Sequence, residues 1–152
     1  MPTSGKTTVG QLLAQRTGKT FMDTDAMVEQ AVGMTIPAYF AAEGESAFRQ
    51  REQEAVAAAA GAGGRVIATG GGAILREENL RALRRSGRLV FLDRSLDKLT
   101  AAADRPLSAD TDALRCRYAE RYDLYCAAAD LRVDGDGTPE ETAAQIEKEW
   151  TT

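Results

Sequence analysis

Between Lys6 and Thr17 the apolar positions Val9, Leu12, Leu13 and Ala14 recur at helical spacing, and Gly18 ends the run, which predicts a helix. Thr20-Phe21-Met22 is a short apolar strand that runs into Asp23-Thr24-Asp25. A helix from Asp25 to about Val32 follows, ended by Gly33. Thr35 caps another over Ile36–Ala42, stopped by Gly44, and Glu45–Ala60 is a long Ala-rich helix closed by Gly61-Ala62-Gly63-Gly64. Arg65–Thr69 reads as a buried strand leading into Gly70-Gly71-Gly72. A helix over Glu77–Arg85 precedes a second apolar strand, Arg88–Leu92. Ser95 starts a short helix and Arg105-Pro106-Leu107 breaks the pattern. A long helix from about Asp110 to Ala128 and a short strand, Leu131–Val133, come next. Thr138-Pro139-Glu140-Glu141 is a capping box with proline at the first helical position, opening a final helix. Short apolar strands alternating with helices predict an α/β protein: a three-layer αβα arrangement around a parallel sheet.

In such sheets ligands gather at the carboxyl ends of the strands. Asp23/Asp25 and Gly70–Gly72 both fall directly after strands. The first seven residues end in Ser4-Gly5-Lys6-Thr7, the second half of the phosphate-loop pattern G-x-x-x-x-G-K-[ST]. The pattern's first glycine would fall one residue before Met1. Backbone N–H groups of such a loop, with Thr8 just beyond, cradle phosphate oxygens at a helix N-terminus. Lys6 is placed for the outer phosphates and the Thr7 hydroxyl for Mg²⁺. The plainer alternative is an ordinary helix start capped by Ser4.

The remaining motifs carry the same double reading. Asp23 and Asp25 lie on one side of an extended turn, one placed for a metal-bound water and the other for a substrate hydroxyl. Alternatively Asp25 is a helix N-cap and Asp23 is solvated. Three successive glycines after a strand carry a backbone-entropy penalty that close approach of a ligand would explain, whereas an ordinary turn seldom needs three. Arg49 can take a carboxylate bidentately, or belong to a solvated charged helix face. Arg105, in a polar Ala-rich break, suits a lid closing over a transferring phosphate, or a surface turn. Arg121, four residues before Tyr125, can equally be a salt-bridge partner on an exposed helix.

Composition narrows the chemistry. With 152 residues, 43% of them hydrophobic, the chain is expected to form one domain with an adequate core. A net charge of −4 and few aromatics argue against a nucleic-acid partner, and no apolar run is long enough to span a bilayer. Cys116 and Cys126 have no metal-ligand spacing and read as free thiols of a reducing, cytoplasmic environment. The chain has no histidine, which leaves a carboxylate as the natural proton acceptor.

Taken in order, S-G-K-T, D-T-D, G-E-x-x-F-R-x-x-E (Gly44–Glu52), A-T-G-G-G, R-P-L and R-x-x-x-Y resemble the shikimate kinase family over nearly the whole chain. The resemblance implies a P-loop NTPase fold of the nucleoside monophosphate kinase type, read here without its first strand, which would lie mid-sheet. It implies a single kinase domain over 1–152, with a mobile lid at about 98–111. It also implies ATP and Mg²⁺, and transfer of phosphate to the 3-hydroxyl of shikimate in aromatic amino-acid biosynthesis by a cytoplasmic monomer.

By the same resemblance, Lys6, Asp25 and Arg105 are the catalytic residues. Ser4, Gly5, Lys6, Thr7, Thr8, Lys98, Arg105 and Pro139 face the nucleotide, and Thr7 and Asp23 serve Mg²⁺. Asp25, Phe40, Phe48, Arg49, Gly70, Gly71, Gly72 and Arg121 receive shikimate. Besides the absent first glycine and strand, two features depart from the family: Lys98 stands where an arginine is common, and Ser108 replaces the last leucine of R-P-L-L. Two alternatives stay open at this point: a related kinase for another hydroxylated acid, and a non-catalytic remnant. A GTPase is disfavoured because no N-K-x-D pattern occurs.

Overall fold

The computed structural model describes residues 5–95 and 108–151. In chain order its elements are α1 (Lys6–Thr17), β1 (Thr20–Asp23), α2 (Thr24–Val32), α3 (Ile36–Ala59) and β2 (Arg65–Ala68). A 3₁₀ turn (Ala73–Leu75), α4 (Glu77–Ser86), β3 (Val90–Asp93), α5 (Ser108–Ala128), β4 (Leu131–Asp134) and α6 (Pro139–Thr151) complete it. The chain divides into two compact units: residues 1–13 with 88–152, and residues 14–87. Each is described below on its own.

The strands pair two and two, all in parallel, with β1 beside β2 in the second unit and β3 beside β4 in the first. The sequence reading put an absent strand in the middle of the sheet; what is observed is one pair in each unit. In the second unit the register sets Thr20 opposite Arg65 and Asp23 opposite Ala68. Both strands therefore end at the same edge, and the turn into α2 and the three glycines leave from it side by side.

Two local features differ from the sequence expectation, and one matches it. Asp23, rather than Asp25, caps α2: its Oδ1 accepts the Asp25 and Ala26 N–H groups at 2.9 and 3.3 Å. The two helices expected on either side of Gly44 are borne out as the two halves of α3, divided where Gly44 leaves helical geometry at φ 87°, ψ 175°. Only glycine adopts that conformation without strain, and it re-aims the second half of α3, which carries Phe48, Arg49 and Glu52. The 3₁₀ turn after the glycines was not foreseen.

The second unit's apolar cluster is Val28, Tyr39, Phe48 and Ala55, with Met27, Val32, Ile36 and Ala47 packed against it. These residues come from α2 and both halves of α3, so burial of their shared face fixes the two helices together. In the first unit Val9, Val133, Ala143 and Ile146 are the buried centre, joined by Leu12, Leu13, Val90, Leu92 and Leu131.

The capping box at α6 is formed as expected. The Thr138 N–H donates to Glu141 Oε2 at 3.0 Å, and the Glu141 N–H donates to Thr138 Oγ1 at 3.1 Å. Thr138→Ala removes the cap acceptor and is expected to cost about 1 kcal/mol. In a chain of this length that is a fall of about 2–4 °C in Tm, readable by calorimetry.

At the end of β3, the Tyr122 hydroxyl donates to Asp93 Oδ2 at 3.0 Å and accepts from Arg132 Nη1 at 2.8 Å. The hydrogen bond to the Asp93 carboxylate, followed by burial, pushes the phenol up from 10.0 to about 12. Raised above its unfolded value, this group adds stability fully present below about pH 10 and lost as pH rises towards 12. Phenolate absorbance should therefore show a tyrosine ionising near pH 12 in the native protein that is missing from Tyr122→Phe.

Candidate active site

Gly5, Lys6, Thr7 and Thr8 open α1, and the Gly5 carbonyl accepts the Val9 N–H at 3.0 Å. No acidic side chain stands in the first turn of α1, so nothing of the helix's own neutralises the positive end of its dipole. Lys6 is half-buried, and the side chains of Thr7 and Thr8 are exposed. Such a terminus favours an anion. Pro139 is the first residue of α6, and Arg121 is half-buried on α5, both in the first unit. Ser4, Lys98, Arg105 and the expected lid up to residue 107 lie outside the described residues.

The second unit brings most of the expected acceptor residues together. Asp25 sits in the first turn of α2, next to the Asp23 cap. A Cβ at Gly70 would lie 2.7 Å from Asp25 Oδ1 and 3.0 Å from Glu52 Oε2, so two carboxylates converge on the first glycine. A Cβ at Gly72 would collide with the Arg49 guanidinium. Close approach thus explains Gly70 and Gly72, where a side chain would displace Asp25, Glu52 or Arg49.

Arg49 is held from several sides. Its Nη1 donates to Glu52 Oε1 at 2.9 Å, Nε lies 3.6 Å from Glu45 Oε1, and Cζ stands 5.3 Å from the centre of the Phe48 ring. Phe48 in turn packs on Phe40, ring centres 5.3 Å apart, with Phe48 buried and Phe40 partly open to solvent. The Arg49 side chain is 14% exposed and that of Glu52 only 2%. A planar cation aimed by a buried carboxylate, a second carboxylate, glycine backbone and an aromatic wall suit a small ring that bears a carboxylate and hydroxyls.

Glu52 was not among the expected site residues. The signal available was its spacing, three residues after Arg49 on one helix, which permits an ion pair. Asp23 is engaged as a cap through Oδ1, and the alternative that made Asp25 the cap does not hold.

Gly72→Ala forces a shift of the Arg49 guanidinium, whose Nη1 holds the buried Glu52 carboxylate, so it is expected to lower Tm, with up to about 1.5–3 kcal/mol at stake in that bond. A second cost should fall on the acceptor: a guanidinium moved by about 1 Å lowers kcat/KM for the acceptor by up to about 10²-fold. Thermal melts, and steady-state kinetics with each substrate varied in turn, would read the two effects separately.

Parallel strands alternating with helices, with Gly5-Lys6-Thr7 at the start of the first helix, are the arrangement expected of a P-loop α/β fold. The family model for shikimate kinase matches residues 2–151. The chain belongs to the shikimate kinase family. It is 48% identical over 142 residues to a shikimate kinase of Symbiobacterium thermophilum, covering 88% of this chain and 82% of that one. A shikimate kinase of Moorella thermoacetica is 42% identical over 96% of this chain and 87% of its own length. Among solved structures, a shikimate kinase from Acinetobacter baumannii in complex with shikimate superposes with a TM-score of 0.92 at 30% identity. That match covers 98% of this chain and 88% of the other. The enzyme from Aquifex aeolicus gives 0.88 at 32% identity, over 99% and 92%.

Proposed function

We propose that this kinase transfers the γ-phosphoryl group of ATP to the 3-hydroxyl of shikimate. The observation that carries the reading is the Asp25–Glu52–Arg49 cluster packed against Gly70 and Gly72. It offers a carboxylate for a ring hydroxyl and a bidentate cation for a ring carboxylate within one unit. Arg49 grips the carboxylate with one edge of its guanidinium, while Glu52 neutralises it and holds it in place. The family motif also assigns Arg121 to the acceptor. Gly71 and Gly72 offer backbone N–H groups, and Phe40 and Phe48 wall the ring.

Asp25 orients the attacking hydroxyl and takes its proton as the oxygen bonds to phosphorus, the electron pair of the broken P–O bond leaving with ADP. Lys6 and the amides of Gly5, Thr7 and Thr8 hold the nucleotide's phosphates. Arg105 and Lys98 act from the lid, and Ser4 and Pro139 complete the nucleotide's surroundings.

Thr7 and Asp23 are oxygen donors and match the hard-ligand preference of Mg²⁺. Among the described residues there is no group of three or more His, Cys, Asp or Glu side chains able to hold a metal ion. Thr7 and Asp23 would hold Mg²⁺, which when bound would supply positive charge to offset that of the nucleotide's phosphates. Among the described residues no helix is long and apolar enough to cross a membrane; a cytoplasmic monomer is part of this proposal.

The test is ADP release with a panel of acceptors, shikimate among other cyclic and open-chain hydroxy acids. The reading expects kcat/KM for shikimate at least 100-fold above every other acid. Equal or better turnover of another acid, or ADP release that needs no acceptor, would overturn it.

A further inference from the structure

Asn79, on α4, lies outside every motif considered so far and is nonetheless 1% exposed. Its Nδ2 donates to the Ala73 carbonyl at 2.9 Å, while its Oδ1 is buried with no hydrogen-bond partner among the described residues. The direction of the amide is therefore set by one bond. With oxygen and nitrogen exchanged, two acceptors would face each other and the buried nitrogen would lose its partner. A buried asparagine with one end unsatisfied calls for an explanation, and its one bond shows where to look.

That end is the turn after the glycines. The Ala73 N–H donates to the Gly70 carbonyl at 3.1 Å, and the Leu75 N–H donates to the Gly72 carbonyl, also at 3.1 Å. Asn79 takes the Ala73 carbonyl, and Ala73 itself is fully buried. The Asn79 N–H donates to the Arg76 carbonyl at 3.2 Å, and Arg76 Nη1 donates to Gln53 Oε1 on α3 at 2.7 Å. The turn that follows Gly70–Gly72 is thus clamped by α4 through Asn79 and tied by Arg76 to the helix that carries Arg49 and Glu52. Glycine is the most conformationally free residue, and three in a row have no definite shape unless something imposes one.

We infer that Asn79 is a positioning residue for the acceptor: through the Ala73 carbonyl it fixes the backbone of Gly70–Gly72 against Asp25 and Arg49. The inference rests on the proposed reading that this glycine run meets the acceptor. Loss of the Asn79 donor should loosen acceptor binding and leave nucleotide binding alone.

The experiment compares the full-length wild type with Asn79→Ala and with Asn79→Asp, which keeps the volume but replaces the amide donor with a carboxylate. Three quantities are read at a temperature where each variant is folded: KM for shikimate, KM for ATP, and amide hydrogen exchange at Ala73 and Leu75. In the wild type these two amides should exchange as slowly as those of α4; rates typical of an open loop would end the idea without any variant. In each folded variant both amides should exchange at least tenfold faster. KM for shikimate should rise about tenfold, while KM for ATP stays within twofold. Unchanged exchange, or the two KM values rising together, would overturn the inference. Failure of the wild type to use shikimate would count against the proposed function, and the exchange measurement would still judge Asn79.

Discussion

Asp25→Asn is expected to lower kcat by about 10²–10⁴-fold, the span usual for loss of a general base, with KM for ATP unchanged. The substitution keeps the shape and can still hydrogen-bond a hydroxyl, so what it removes is proton affinity and charge. The chain has no histidine to stand in. Glu52 lies close to the same point near Gly70, but its Oε1 is bonded to Arg49 and its side chain is 2% exposed. A carboxylate so engaged is a poor substitute, so Glu52 should not rescue Asp25→Asn. Single-turnover measurements would place the loss in the chemical step. A fall of less than tenfold would remove Asp25 from the role of base and leave it as an orienting ligand. The backbone turn should survive, because the Asp23 cap, not the Asp25 side chain, receives the first N–H groups of α2.

That division of labour between Asp23 and Asp25 shows where sequence reading stopped. Two carboxylates two residues apart at the end of a strand are equivalent candidates for capping. The choice depends on which residue keeps extended backbone, and Asp23, at φ −123°, ψ 116°, does. Elements with strong local signals were legible. The first helix, the four strands and the Thr138–Glu141 box came out close to expectation because periodicity and capping are short-range properties.

The burial of Glu52 and Asn79 was not legible, since nothing local marks a polar residue for burial, although Glu52 closes the G-E-x-x-F-R-x-x-E motif. A glutamate among arginines on an Ala-rich helix reads as a solvated face until Gly70 is seen to leave room for it. The pairing of the strands two and two is a long-range property as well. Motif order, by contrast, carried the family directly, because each motif is contiguous and does not depend on how the strands pair.

Arg49→Ala should act on two quantities that Arg49→Lys separates. Removing the guanidinium takes away a charge-assisted hydrogen bond from the buried Glu52, a loss of about 1.5–3 kcal/mol readable as a lower urea midpoint. It also removes the bidentate hold on the acceptor carboxylate, so KM for shikimate should rise by about 10–10²-fold. Lysine can keep an ion pair with Glu52, and the midpoint should largely recover. Its single ammonium cannot present two parallel donors or lie flat on Phe48, so KM should stay high. Stability restored without affinity would show that the planar fork, rather than positive charge alone, is what the cluster of Glu52, Phe48 and Gly72 holds in place. Affinity restored together with stability would show the reverse: that Arg49 matters to the acceptor only as a charge.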